Sequence, residues 1–157
     1  MPINTKSNYV EFGTGIAQDG VTLINSISLP APHQLPFSPE FLVGAERNAN
    51  GTMIIQQKGR TQYTTQLKWE FLPYDVWWRI NRWFETYGYV FYFKYFSHYD
   101  GKIKIHRFYR GNIDKATPSS NTTLLKGYRV PKTYDNCGFS VIDMGEMNVI
   151  TVEDLLL

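Results

Sequence analysis

The chain has 157 residues, 43% hydrophobic and 19% charged, which excludes intrinsic disorder and fits one domain with a core that needs no staples. A formal net charge of +2 demands neither nucleic acid nor an acidic membrane, and a single cysteine, Cys137, leaves no internal disulfide and no cysteine metal cluster. No apolar run approaches a membrane span, and the 16% aromatic content suits pleated surfaces and protein interfaces.

Met1 to Tyr9 has no basic stretch followed by an apolar run, so no signal peptide is expected, and the chain should be made in a reducing cytoplasm. Residues 1–28 are polar and punctuated by glycine; Val21, Leu23, Ile24 and Ile27 allow one short strand. Residues 29–39 carry Pro30, Pro32, Pro36 and Pro39, which suits an extended connector. Residues 1–39 therefore read as an arm on a globular body at 40–146, with a C-terminal segment at 147–157.

The body opens with a short apolar run at Phe41-Leu42-Val43. Asn48-Ala49-Asn50-Gly51 supplies a hairpin turn. Lys58-Gly59-Arg60 reads as a bulge or bend. From Gln62 to Phe71 the alternation is strict, with Tyr63, Thr65, Leu67, Trp69 and Phe71 on one side. That period predicts a half-buried strand.

The period then changes. Pro73 suits a helix start, Val76, Trp77, Ile80, Trp83, Phe84 and Tyr87 recur at helical spacing, and Gly88 can end the helix. A helix is predicted over 74–87. Tyr89 to Arg110 predicts a hairpin turning at Asp100-Gly101. A two-residue loop would set Tyr99 opposite Lys102 and Phe96 opposite Ile105. Tyr92, Lys94, Phe96, His98, Ile103, Ile105, Arg107 and Tyr109 then share one face. Phe91, Phe93, Tyr95, Tyr99, Lys102, Lys104, His106 and Arg110 share the other. Neither face is purely apolar, which suits a hairpin that meets neighbours. Residues 112–126 read as a mobile loop. Strands at Gly127–Thr133 and Gly138–Met144 close the body, with Tyr134-Asp135-Asn136 between them, and Asp154-Leu155-Leu156-Leu157 offers an apolar end that could dock.

Catalytic chemistry is hard to find. His98 and His106 fall on opposite hairpin faces and His33 lies in the connector, so no metal or cofactor is expected. Cys137 has no readable histidine partner, and the carboxylates are scattered singly. Lys102, Lys104, His106, Arg107 and Arg110 interleave with Phe108 and Tyr109, which imitates a single-strand nucleic-acid groove. A solvated strand face fits the near-neutral chain better; complementarity to an acidic neighbouring subunit is a further reading. Trp78 falls off the apolar stripe of the helix, among Asp75, Arg82 and Glu85. It can be shielded by Arg82 one turn on, or anchor a protein partner.

From about residue 40 to 146 the order of parts resembles small tail-module proteins of phages and prophages of Gram-positive bacteria. The residues that carry the resemblance are Arg47-Asn48-Ala49-Asn50-Gly51-Thr52, the strand ending Leu67-Lys68-Trp69-Glu70, the helix after Pro73, Tyr109-Arg110-Gly111, and Gly138-Phe139-Ser140-Val141-Ile142-Asp143. The order also resembles the tail-tube fold. The resemblance implies a mainly β protein with one flanking helix (an α+β sandwich or barrel with long hairpins). It implies a structural, non-enzymatic virion subunit, a tube, tube-initiator or baseplate-hub component in a hexameric ring with other tail proteins. No membrane and no sequence-specific nucleic-acid contact is expected. Trp78, Arg82, Tyr92, Tyr99, Lys104, Arg107 and Tyr109 are the candidate subunit-interface residues. The alternative is a carbohydrate-binding β-sandwich for host attachment, with Trp78, Tyr92 or Tyr99 as stacking platforms.

Overall fold

The computed structural model describes residues 10–30, 32, 62–113 and 115–157 in full, and the backbone alone at 37–40, 43–47 and 53–57. The expected turn at 48–51 and the bend at 58–60 lie outside the described residues. The described chain is mainly β with one helix, as expected. Strands β1 (Val10–Gly13), β2 (Gly15–Ile16), β3 (Leu23–Ile24) and β4 (Ile27–Leu29) come first. Next are β5 (Phe37–Glu40), β6 (Val43–Arg47), β7 (Met53–Gln57) and β8 (Gln62–Pro73). Helix α1 (Tyr74–Tyr87) leads to β9 (Val90–Ser97) and β10 (Lys102–Ile113). The rest are β11 (Thr117–Pro118), β12 (Thr122–Leu125), β13 (Tyr128–Pro131), β14 (Thr133–Asp143) and β15 (Ile150–Asp154).

Nine strands form one sheet in the order β4-β1-β9-β10-β14-β8-β5, with β11 on β14 and β15 on β10. Its described pairings are antiparallel and open at β4 and β5, so they close no barrel. The sheet nevertheless curls. Three strand spacings separate β1 from β14, about 14 Å in a flat sheet, yet the rings of Phe12 and Phe139 lie 5.9 Å apart. Tyr63 on β8 likewise comes within 6.4 Å of Tyr95 on β9. The concave face holds Phe12, Phe91, Phe93, Tyr95, Phe108 and Phe139, all essentially inaccessible.

Helix α1 packs against β4 on one side and β8 and β14 on the other, covering the open side of the curl. Pro73 precedes its first turn, and Gly88, at φ +96°, donates its N–H to Phe84 O at 2.7 Å. Trp77, Ile80, Trp83 and Phe84 are buried, whereas Tyr87 stays largely exposed. Phe84 meets Phe12, Phe91 and Phe139 at 5.4–5.5 Å.

The first correction concerns the arm. Residues 10–29 are built into the body: β1 lies between β4 and β9, and Val10, Phe12 and Leu29 are fully buried. Trp83 Nε1 donates to Asn25 O at 2.9 Å and Trp69 Nε1 to Pro30 O at 3.1 Å. Hairpin β2–β3 returns so closely that a Cβ on Gly13 would stand 2.7 Å from Leu23 Cβ. The C-terminal segment is also part of the sheet, since β15 extends the line of β14 beside β10.

Three further expectations change. The β9–β10 register is Lys102 opposite Ser97 and Ile103 opposite Phe96, two residues from the expected one, because His98 to Gly101 form a longer turn closed by Gly101 N–H to Ser97 O. A shift of two preserves side-chain faces. The expected loop at 112–126 contains β11 and β12, and β12 pairs with β13. Lys126 and Gly127, both at positive φ (50° and 84°), make that two-residue turn. The alternation of β8 slips at Phe71, which is 60% exposed while Leu72 is buried. Asn136, between the pairs Asp135–Phe71 and Cys137–Trp69, has φ +52°. A left-handed residue at that point re-aims the two strands without breaking their register.

Candidate functional site

The candidate interface residues divide into three places. Trp78 and Arg82 come together. They line a groove of about 260 Å³ with Tyr74, Asp75, Arg79 and Leu125, between the outer side of α1 and the β12–β13 hairpin. Tyr74, Trp78 and Arg82 follow at four-residue spacing, which stacks them along one helix face. Tyr74 N–H donates to Lys132 O at 3.1 Å and Lys132 N–H to Asn121 O at 2.8 Å, tying the helix start to the base of the hairpin. Trp78 is half-buried. Its Nε1 donates to the Tyr134 hydroxyl at 3.1 Å, and Tyr74 meets it edge-on at 5.1 Å. Arg79 pairs loosely with Asp75 at 3.9 Å, both well exposed.

Tyr92, Arg107 and Tyr109 sit on the convex face of β9–β10. Tyr92 lies directly opposite Arg107, whose Nε stands 3.4 Å from Glu146 Oε1. Tyr109 is partly exposed. Ile103 and Ile105 share this convex face and are buried. Tyr99 stands apart, at the hairpin tip, more than half exposed and edge-on to Tyr63 at 6.2 Å.

Lys104 does not belong to the surface, which corrects the expected interface set. It projects to the concave side and is 8% exposed. Its Nζ lies 2.6 Å from Asp100 Oδ2 and donates to the Tyr63 hydroxyl at 3.3 Å. Burial opposes ionisation of Asp100, but the Lys104 ammonium, with smaller help from Lys102, holds its carboxyl below the ordinary value. His106 is buried beside it. Arg110 spreads over the rings of Tyr89 and Phe84 at 4.4 and 4.8 Å. The basic-aromatic strand is therefore divided among core, ring stack and surface; it forms neither a phosphate-binding groove nor a solvated face.

Sequence reading missed a buried polar network. The Tyr95 hydroxyl and His106 Nε2 are 2.6 Å apart, and His106 Nδ1 stands 3.4 Å from Asp143 Oδ1. Asp143 also accepts the N–H of Tyr63 at 3.1 Å and of Gly145 at 2.8 Å. Strands β8, β10 and β14 thus meet at one carboxylate, with Tyr95 of β9 joined through His106. All three side chains are buried, so the network ties strands together and offers no substrate access. Only the histidine amid aromatics signalled it, and its partner Asp143 is 37 residues away.

Cys137 is buried, and burial pushes its thiol up to about 11. That is the opposite of an activated nucleophile. Among the described residues no group of three His, Cys, Asp or Glu side chains could hold a metal. No helix among them is long and apolar enough to cross a membrane.

The sequence matches no protein-family model and no curated protein. The fold does have a counterpart. A chain from the tail of an empty GTA particle, determined by helical refinement with C6 symmetry, superposes with a TM-score of 0.51. The match covers 96% of this chain and 99% of that one at 14% identity. At that identity the likeness concerns the fold.

Proposed function

We propose that this protein is a structural subunit of a phage-type tail, without catalytic activity, that works by assembling into a ring with copies of itself and with other tail proteins. The observation that carries the proposal is the shared fold. It runs through nearly the whole of both chains, and the counterpart belongs to a six-fold tail. A tube, tube-initiator or baseplate-hub position, a virion location and a Gram-positive host belong to the same reading. Trp78, Arg82, Tyr92, Tyr99, Arg107 and Tyr109 supply contacts from three separate surfaces, as a subunit with several neighbours requires. A carbohydrate platform is less well supported, because Trp78 is held edge-on by Tyr74 and bonded to Tyr134 instead of presenting a free ring face.

Negative-stain electron microscopy of the concentrated protein tests this. Six-fold rings or short stacks are expected. A monodisperse monomer at every concentration would rule the proposal out.

A further inference from the structure

The groove beside Trp78 and the leucines that follow β15 lie at opposite ends of the sheet. Leu155 N–H bonds Gly101 O at 3.2 Å, at the tip of the β9–β10 hairpin. Tyr74 begins next to the far end of β14. Between them run β10 from Lys102 to Ile113 and β14 from Phe139 back to Thr133. That is roughly 50 Å of strand at about 3.3 Å per residue. One molecule cannot bring the two features together without unfolding, but two molecules arranged head to tail can.

The two features are complementary in shape and chemistry. Leu155, Leu156 and Leu157 are 49%, 87% and 103% exposed. Their backbone is nonetheless ordered: Asp154 Oδ1 accepts Leu156 N–H at 3.0 Å, and Asp154 O accepts Leu157 N–H at 3.4 Å. Consecutive exposed leucines in a fixed turn form an apolar knob already held in shape, so little ordering remains to be done on binding. Glu153 and Asp154 beside it are acidic. The groove has Trp78, Tyr74 and Leu125 as apolar walls, and Asp75, Arg79 and Arg82 line it, Arg79 loosely paired with Asp75. Tryptophan with arginine is the composition of interface anchor sites.

We infer that the Glu153–Leu157 knob of one copy of this chain seats in the Tyr74–Trp78–Arg82 groove of another. The leucines fill the apolar part and Asp154 approaches Arg82. The two surfaces differ, so the contact is heterologous and propagates from copy to copy. This inference rests on the proposed assembling role and identifies one contact within it.

The test uses the whole 157-residue chain, mass photometry or sedimentation velocity, and two exposed-site variants, Leu156→Glu and Arg82→Glu. Neither residue lies in the core, and circular dichroism and melting check that each variant folds. The wild type should self-associate, and each variant alone should shift the midpoint at least about tenfold to higher concentration. Leu156→Glu keeps an intact groove and Arg82→Glu an intact knob, so an equimolar mixture should give a one-to-one pair that grows no further. If the wild type associates and either variant associates equally well, some other contact or partner occupies the groove and the inference is overturned. It is equally overturned if both variants are monomeric and the mixture forms no pair. A wild type that stays monomeric throughout would instead remove the assembly proposal itself, and the contact with it.

Discussion

At the scale of single residues, burial decides chemistry more than residue type does. Lys104 and His106 look like surface cations in the sequence, yet alternation along β10 turns them inward, where a carboxylate and a tyrosine hydroxyl receive each. Cys137 shows the same control with a measurable sign. Burial pushes its thiol from the ordinary value of 9.0 up to about 11 in the fold. The folded state therefore holds its proton longer. The stabilisation is complete below the unfolded value and is lost as pH rises through the folded one. Compared with Cys137→Ala, the wild type should lose roughly 2–3 kcal/mol of relative stability between pH 8 and 11. Urea denaturation at the two pH values measures this, and an unchanged difference would contradict it. Native alkylation at pH 8 should also be far slower than in denaturant.

At the scale of elements, the backbone geometry at Gly88 fixes where α1 hands over to β9. With φ +96° and ψ 175°, the residue sits where side chains are strongly disfavoured. A Cβ would meet nothing within 4 Å, so the penalty of Gly88→Ala is conformational, about 1–3 kcal/mol. Gly15→Ala is the control, with its Cβ in ordinary contact with Ile24 at 3.6 Å, and it should change stability by less than about 0.5 kcal/mol. Thermal melts of the two variants separate these effects. The same elements show what could be read from the sequence. Helix α1 and the start of β8 were legible, because long stretches of apolar residues at a single period leave little choice. The β9–β10 register was legible in its faces and wrong in its pairing, since Asp100-Gly101 imitates a two-residue turn. The Lys126-Gly127 turn escaped because lysine seldom adopts positive φ. Of the candidate interface, the groove pair Trp78 and Arg82 was legible as a break in the helical stripe. Leu125 and Tyr134 were not, because they come from strands whose placement is a long-range matter.

At the scale of the whole molecule, residues 10–29, which look like part of an arm in the sequence, contribute to the core. Phe12 touches rings from α1, β9 and β14 at 4.4–6.0 Å, and two indoles hydrogen-bond to carbonyls at 25 and 30. Short, glycine-punctuated strands give little local signal, and their pairing partners lie some eighty positions later. Phe12→Ala alone should cost about 3–5 kcal/mol. A chain starting at Glu40 should therefore lack a cooperative melt, where an arm-and-body arrangement would keep one. Calorimetry of the shortened chain distinguishes the two. The sheet draws on both ends of the sequence, β1 and β4 near the start and β15 near the finish, so most of the chain must be in place before it is complete.

The placement of the tryptophans has an optical consequence. All four fall between positions 69 and 83, three on α1 and one on β8 beside it, whereas Tyr63, Tyr95 and Tyr99 cluster near the opposite end. Red-edge excitation, which selects indole over the tyrosines spread through the fold, therefore samples the helix and the adjoining part of β8 alone. Indole emission from an unlabelled sample thus follows events at the helix end of the molecule, where the Trp78 groove lies, in a stopped-flow cell.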